Sequence, residues 1–203
     1  MNAGLGEAVE LLDRALAFTR VALADVTHET LTRPTPCSAW SLGHLLSHME
    51  DALDAFTEAA SGSVQVDPPG PASDQVDVLR EKACALLGAW IRATPTEVVV
   101  GDRGLDPGLL VGTAALEITV HGWDVSQATG RTARIPDELA AGLLRIAQQV
   151  VDPTDRGTRF DHPRPIPAGA SHDIRLLAYL GRHLTGPPGQ IPGDSNTLPD
   201  VAS

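Results

Sequence analysis

At 203 residues and 21.3 kDa the chain has the size of one ordinary domain with or without a tail, and 42% hydrophobic and 20% charged residues mark it as globular rather than disordered. The 15 basic against 26 acidic residues leave a formal net charge of -11, which repels phosphate backbones and anionic lipid and makes nucleic acid and membranes poor partners. No apolar run approaches the length of a membrane span, the N-terminus lacks a signal-peptide pattern, and Cys37 and Cys84 are too few for a disulfide framework, so the expectation is a cytoplasmic protein with reduced thiols.

Apolar residues Leu5, Val9, Leu12, Leu16, Leu23 and Val26 recur at helical spacing and predict a long first helix, broken by the prolines of TRPTPCS. A second helix follows with Ser38 or Ser41 as N-cap and Leu42, Leu45, Met49, Leu53 and Phe56 as its apolar face, ending near Ser61 and Gly62. After the turn-forming stretch SGSVQVDPPGPAS, Ser73 caps a third helix whose face runs Val76, Leu79, Ala83, Leu86, Trp90. A weak strand is expected at 97–100, without a second strand to pair with it.

The fourth helix, from Pro107 to Thr129, is apolar nearly all round and stops at Gly130. A fifth begins at Pro136 and runs to about Val151; an ordered but irregular loop then leads to a sixth, SHDIRLLAYLGRHL. The Gly/Pro-rich remainder has too little apolar surface to fold and reads as a mobile tail. Long helices with almost no strand signal predict an all-α bundle.

Leu110, Ala114, Glu117, His121, Asp124 and Ala128 share one stripe of the fourth helix, placing three ionisable groups on a face with little other polarity. Buried, such groups need a partner; a divalent metal would satisfy Glu117 and His121, whose i, i+4 spacing puts them about 6 Å apart along the axis. A hydrogen-bonded Glu117–His121 pair without metal meets the same need. A third ligand is available one helix away, where HLLSH offers His44 and His48 a turn apart. Two imidazoles and a carboxylate with one open position is the pattern of catalytic zinc.

The segments TPCSAWSLGHLLSHM, LEITVHGWDVSQATG and RLLAYLGRH, with the patterns P-C-x-x-W-x-x-x-x-L-x-x-H and E-x-x-x-H-x-x-D, resemble the actinobacterial branch of the DinB/YfiT-like superfamily. The likeness is to the N-terminal domain of mycothiol-dependent maleylpyruvate isomerase and covers roughly Leu5 to Leu184. The resemblance implies a DinB-like four-helix bundle over residues 1–184, here with additional C-terminal helices, followed by the flexible tail 185–203. It further implies a divalent metal, zinc foremost, on His48, Glu117 and His121, and mycothiol or a similar low-molecular-weight thiol as co-substrate. The isomerase has a second, C-terminal domain, whereas this chain has little beyond its sixth helix, which argues against maleylpyruvate isomerase activity itself.

The expected protein is thus a metal-dependent transferase- or isomerase-like enzyme acting on a small electrophilic substrate, with homodimerisation open. Two rivals are a non-catalytic metal or small-ligand binding protein and a metal-free enzyme with Glu117 or Asp124 as general base. Asp124 is the candidate for orienting His121, and Trp40, Trp123 and His44 are candidate pocket residues. Cys37 is read as packing, and the loop histidines and arginines as solvated.

Overall fold

The computed structural model describes residues 3–37, 40–62, 75–93 and 95–183. The expected caps Ser38 and Ser73 and the expected tail 185–203 lie outside the described residues. Among these residues six α-helices form: α1 (Ala3–Ala22), α2 (Leu42–Ala59), α3 (Gln75–Arg92), α4 (Pro107–Thr129), α5 (Asp137–Val150) and α6 (His172–Tyr179). Among the described residues the fold is all-α apart from a two-stranded hairpin, and no helix is long and apolar enough to cross a membrane.

The hairpin corrects the expectation of a lone strand: β1 (Val98–Val100) pairs antiparallel with β2 (Arg103–Leu105). Gly101, at φ +63°, starts the two-residue turn with Asp102, a pair that suits tight hairpins because glycine alone enters this region freely. Two helix ends also differ from expectation. The first helix closes at Ala22 into a 3-10 turn over Leu23–Asp25, and the sixth ends at Tyr179, short of His183.

The central element is α4. The Asp106 side chain accepts from Leu109 N at 2.8 Å, Pro107 occupies the first turn where its missing N–H costs nothing, and Gly130 closes the helix at φ +84°. Its sides are almost wholly buried, against α1 most extensively and against α2 and α5 as well. The approach to α1 depends on small size at Gly122, where an added Cβ would lie 3.0 Å from Thr19 Cβ and closer still to its hydroxyl. That hydroxyl instead donates to the Ile118 carbonyl at 2.8 Å.

Ser41 caps α2, its hydroxyl accepting from His44 N, and the helix turns Leu42, Leu45, Leu46, Met49 and Leu53 into the core. Helix α3 packs on α2, and the fully buried Trp90 keeps its ring N–H satisfied by donating to the Phe56 carbonyl at 2.8 Å. The bundle α1–α4 is completed by α5, which packs on α4 and α1 and also on α6.

Candidate metal centre

Glu117 and His121 occupy successive turns of α4, and α2 brings His48 against them. His48 Nε2 lies 2.6 Å from Glu117 Oε1, and His121 Nε2 lies 3.0 Å from the same oxygen. One ligand atom from each of the three lies within 4.8 Å of the others. His121 is buried, while the His48 and Glu117 side chains keep 36% and 32% of their surface exposed, so the cluster sits in the wall of the bundle with one side open.

Behind His121 stands a second carboxylate. Asp124, without exposed surface, approaches His121 Nδ1 at 3.1 Å through Oδ2. The Arg182 guanidinium grips it with two bonds, Nε to Oδ1 at 3.0 Å and NH2 to Oδ2 at 2.7 Å. With Asp124 as acceptor, the ring proton of His121 belongs on Nδ1, and the Nε2 lone pair then points at Glu117. A lone pair facing a carboxylate oxygen at 3.0 Å is repulsive unless a proton or a cation lies between them. Two imidazole nitrogens and a carboxylate converging in this way fit a divalent cation.

The same geometry governs protonation in the metal-free protein. Burial by itself would raise the Glu117 carboxyl, but hydrogen bonds and charge from His121 and His48 outweigh it and hold the group far below the usual carboxylate range. Burial by itself would lower His121, but its bonds to Asp124 and Glu117 prevail and push it up from 6.5 to about 9. The stabilisation from charged His121 is therefore complete below pH 6.5 and lost as pH rises through about 9. A divalent cation held at Nε2 would compete with this proton, so any affinity for zinc should climb with pH, by up to about tenfold per unit, and level off above about pH 9. Calorimetric titration at several pH values reads this; an affinity unchanged between pH 7 and pH 9 would contradict it.

The remaining candidates separate cleanly. Trp40, which precedes α2, covers the site, with its ring centroid 4.6 Å from that of His48 and 6.3 Å from that of His121. Thr35 secures it, the hydroxyl donating to the Trp40 carbonyl at 3.0 Å. Trp123 lies in the hydrophobic core. His44 is exposed and lines a groove of about 630 Å³ with residues that include Val26, His28, Leu31 and Gln75. It is not among the three convergent side chains, because its turn of α2 faces that groove.

Cys37 is half-buried beside the site; burial pushes its thiol up, opposed by the Arg182 charge and reinforced by Asp124 and Glu117. The loop arginines find local acidic partners, Arg131 on Asp25, Arg134 on Asp173 and Arg159 on Asp155. His172 at the start of α6 meets Asp137 at 2.8 Å. Sequence reasoning gave no role to Arg182, although it stands in the third of the segments that carried the resemblance, RLLAYLGRH.

The sequence profile of the mycothiol maleylpyruvate isomerase N-terminal domain family matches residues 12–126. Two uncharacterized proteins of Mycobacterium tuberculosis, from strains CDC 1551 / Oshkosh and H37Rv, are each 29% identical over 166 residues, spanning 79% of this chain and 89% of theirs. The crystal structure of the mycothiol-dependent maleylpyruvate isomerase superposes with a TM-score of 0.51 at 17% identity, over 68% of this chain and 67% of that one. A histidine-to-alanine mutant of that enzyme superposes with a TM-score of 0.51 at 16% identity, over the same shares of the two chains. At such identities these structures establish the shared fold alone.

Proposed function

Because the chain belongs to the mycothiol maleylpyruvate isomerase N-terminal domain family, we propose that it is a metal-dependent enzyme that uses a low-molecular-weight thiol such as mycothiol for addition, transfer or isomerisation on a small electrophilic substrate. The observation that carries this proposal is the convergence of His48, Glu117 and His121 within 4.8 Å, on the open side of a buried and pre-oriented imidazole.

His48 and His121 would bind the cation through Nε2 and Glu117 through its carboxylate, a donor set that suits zinc. The cation supplies Lewis acidity, which brings a thiol to thiolate near neutral pH. Asp124 keeps the His121 proton on Nδ1 and so leaves Nε2 free for binding, while Arg182 compensates the buried Asp124 charge. Trp40 covers the histidine rings and narrows the approach.

Two features favour turnover over plain metal storage. With His48, Glu117 and His121 as its protein ligands, a bound cation would keep a position for an exchangeable group, and His44, the fourth ligand the sequence offered, faces elsewhere. A metal-free mechanism with Glu117 as base is disfavoured, since a carboxylate held so far below its usual range is a poor proton acceptor. The test uses cobalt(II)-substituted protein. Adding mycothiol should produce a sulfur-to-cobalt charge-transfer band in the near ultraviolet that ethanolamine, which lacks the sulfur, does not produce. A protein that takes up cobalt but shows no thiol-dependent band would sink the thiol assignment, and one that takes up no cobalt would sink the metal centre.

A further inference from the structure

Arg182 lies just beyond the end of α6, and the geometry of that end decides where its guanidinium goes. The final carbonyls of a helix lack intrahelical donors. Part of this need is met locally: Gly181, at φ +80°, lets its own N–H reach the Ala178 carbonyl at 3.0 Å and lets Arg182 N reach the Leu177 carbonyl at 2.9 Å. The reversal sends the Arg182 side chain back to Asp124.

The rest is met by the loop between α5 and α6. Arg164 N donates to the Ala178 carbonyl at 2.9 Å, and its Nε donates to the Gly181 carbonyl at 3.2 Å. Arg156 donates to the Tyr179 carbonyl at 2.8 Å and to the Asp161 carbonyl at 3.0 Å, with its guanidinium over the Tyr179 ring at 4.7 Å. Two cations thus sit at the negative end of the helix dipole and bond the carbonyls of the turn from which Arg182 departs. The fit is close, since a Cβ on Gly181 would lie 2.9 Å from the Asp161 backbone.

We propose that Arg156 and Arg164 are positioning residues: by fastening the C-terminal turn of α6 they hold the Arg182 guanidinium on Asp124, and through Asp124 they set the aim of His121. Only the last step rests on His121 being a metal ligand. The preceding steps concern the protein without metal, so the two can be tested apart.

In a proton–nitrogen correlation spectrum of the metal-free protein, the Arg182 Nε–H signal, assigned by its loss in Arg182→Lys, should be shifted and protected from solvent exchange. Arg164→Ala and Gly181→Ala should move or broaden it while circular dichroism shows the helices retained. Arg164→Lys keeps the charge and one donor and should give a smaller shift, so the test survives an alanine variant that does not fold. Cobalt affinity should fall about tenfold in Arg164→Ala, with no further fall when that change is added to Arg182→Ala. An Arg182 signal unmoved by all three changes would overturn the proposal, as would cobalt losses that simply add. If the signal responds while Arg182→Ala leaves cobalt affinity unchanged, the fastening of Arg182 stands and its influence on His121 through Asp124 is overturned, whereas a wild-type protein that takes up no cobalt would sink the metal centre alone.

Discussion

His121→Ala is expected to leave the purified protein without stoichiometric metal while its helical circular dichroism persists. The substitution removes one of the three proposed ligands and with it the imidazole that Asp124 orients, so the loss should exceed the ~10–100-fold that follows removal of an outer-sphere partner. Folding should tolerate the change. Asp124 keeps both bonds from Arg182, and Glu117 retains enough exposed surface to be hydrated. Glu117→Gln, which preserves volume and removes the charge, should also empty the site. Plasma-emission analysis of metal per chain measures both, and wild-type stoichiometry in either variant would remove that residue from the centre.

Asp124→Ala should have the larger effect on stability. Arg182 is 12% exposed at its side chain, and without Asp124 its charge would stay buried and unpaired. Breaking a buried pair from one side costs about 3–5 kcal/mol. For a chain of this size that corresponds to a fall in Tm of roughly 6–20 °C. Pairing Asp124→Leu with Arg182→Met removes both charges and should recover much of the Tm, yet metal affinity should remain depressed because nothing then holds the proton on His121 Nδ1. Calorimetric scans of the single and double variants, with and without chelator, separate the two effects. If the double variant recovered metal affinity along with Tm, Asp124 would have no orienting role.

The helices were legible because their signals are local. The 3.6-residue period of α2, the Pro107 start and Gly130 stop of α4, and the Pro136 boundary of α5 all act within a turn or two of the residues concerned. The hairpin carried a local signal too, the Gly101–Asp102 pair, but Arg-Gly-Leu has little strand preference and forms β2 only because Val98–Val100 lies opposite to pair with it. At α6 the apolar period runs on past Tyr179. The helix stops earlier because Gly181 takes a left-handed turn, and the carbonyls of that turn accept hydrogen bonds from Arg156 and Arg164 of the preceding loop.

The same division runs through the site. Glu117, His121 and Asp124 could be placed on one helical face from the sequence alone, since i, i+3 and i, i+4 neighbours share a face in any α-helix. From spacing, His44 and His48 were equivalent candidates on α2. Packing of α2 on α4 is what brings His48 to Glu117 and leaves His44 at the outer groove. The arginine partner of Asp124 is 58 residues away, just beyond the end of α6, and no periodicity reaches that distance. Local backbone geometry thus determined the helices and the Glu117–His121 pair within α4, whereas the second imidazole, His48, and the arginine behind Asp124 were decided by tertiary packing, because buried charges find their partners only where folding brings distant segments together.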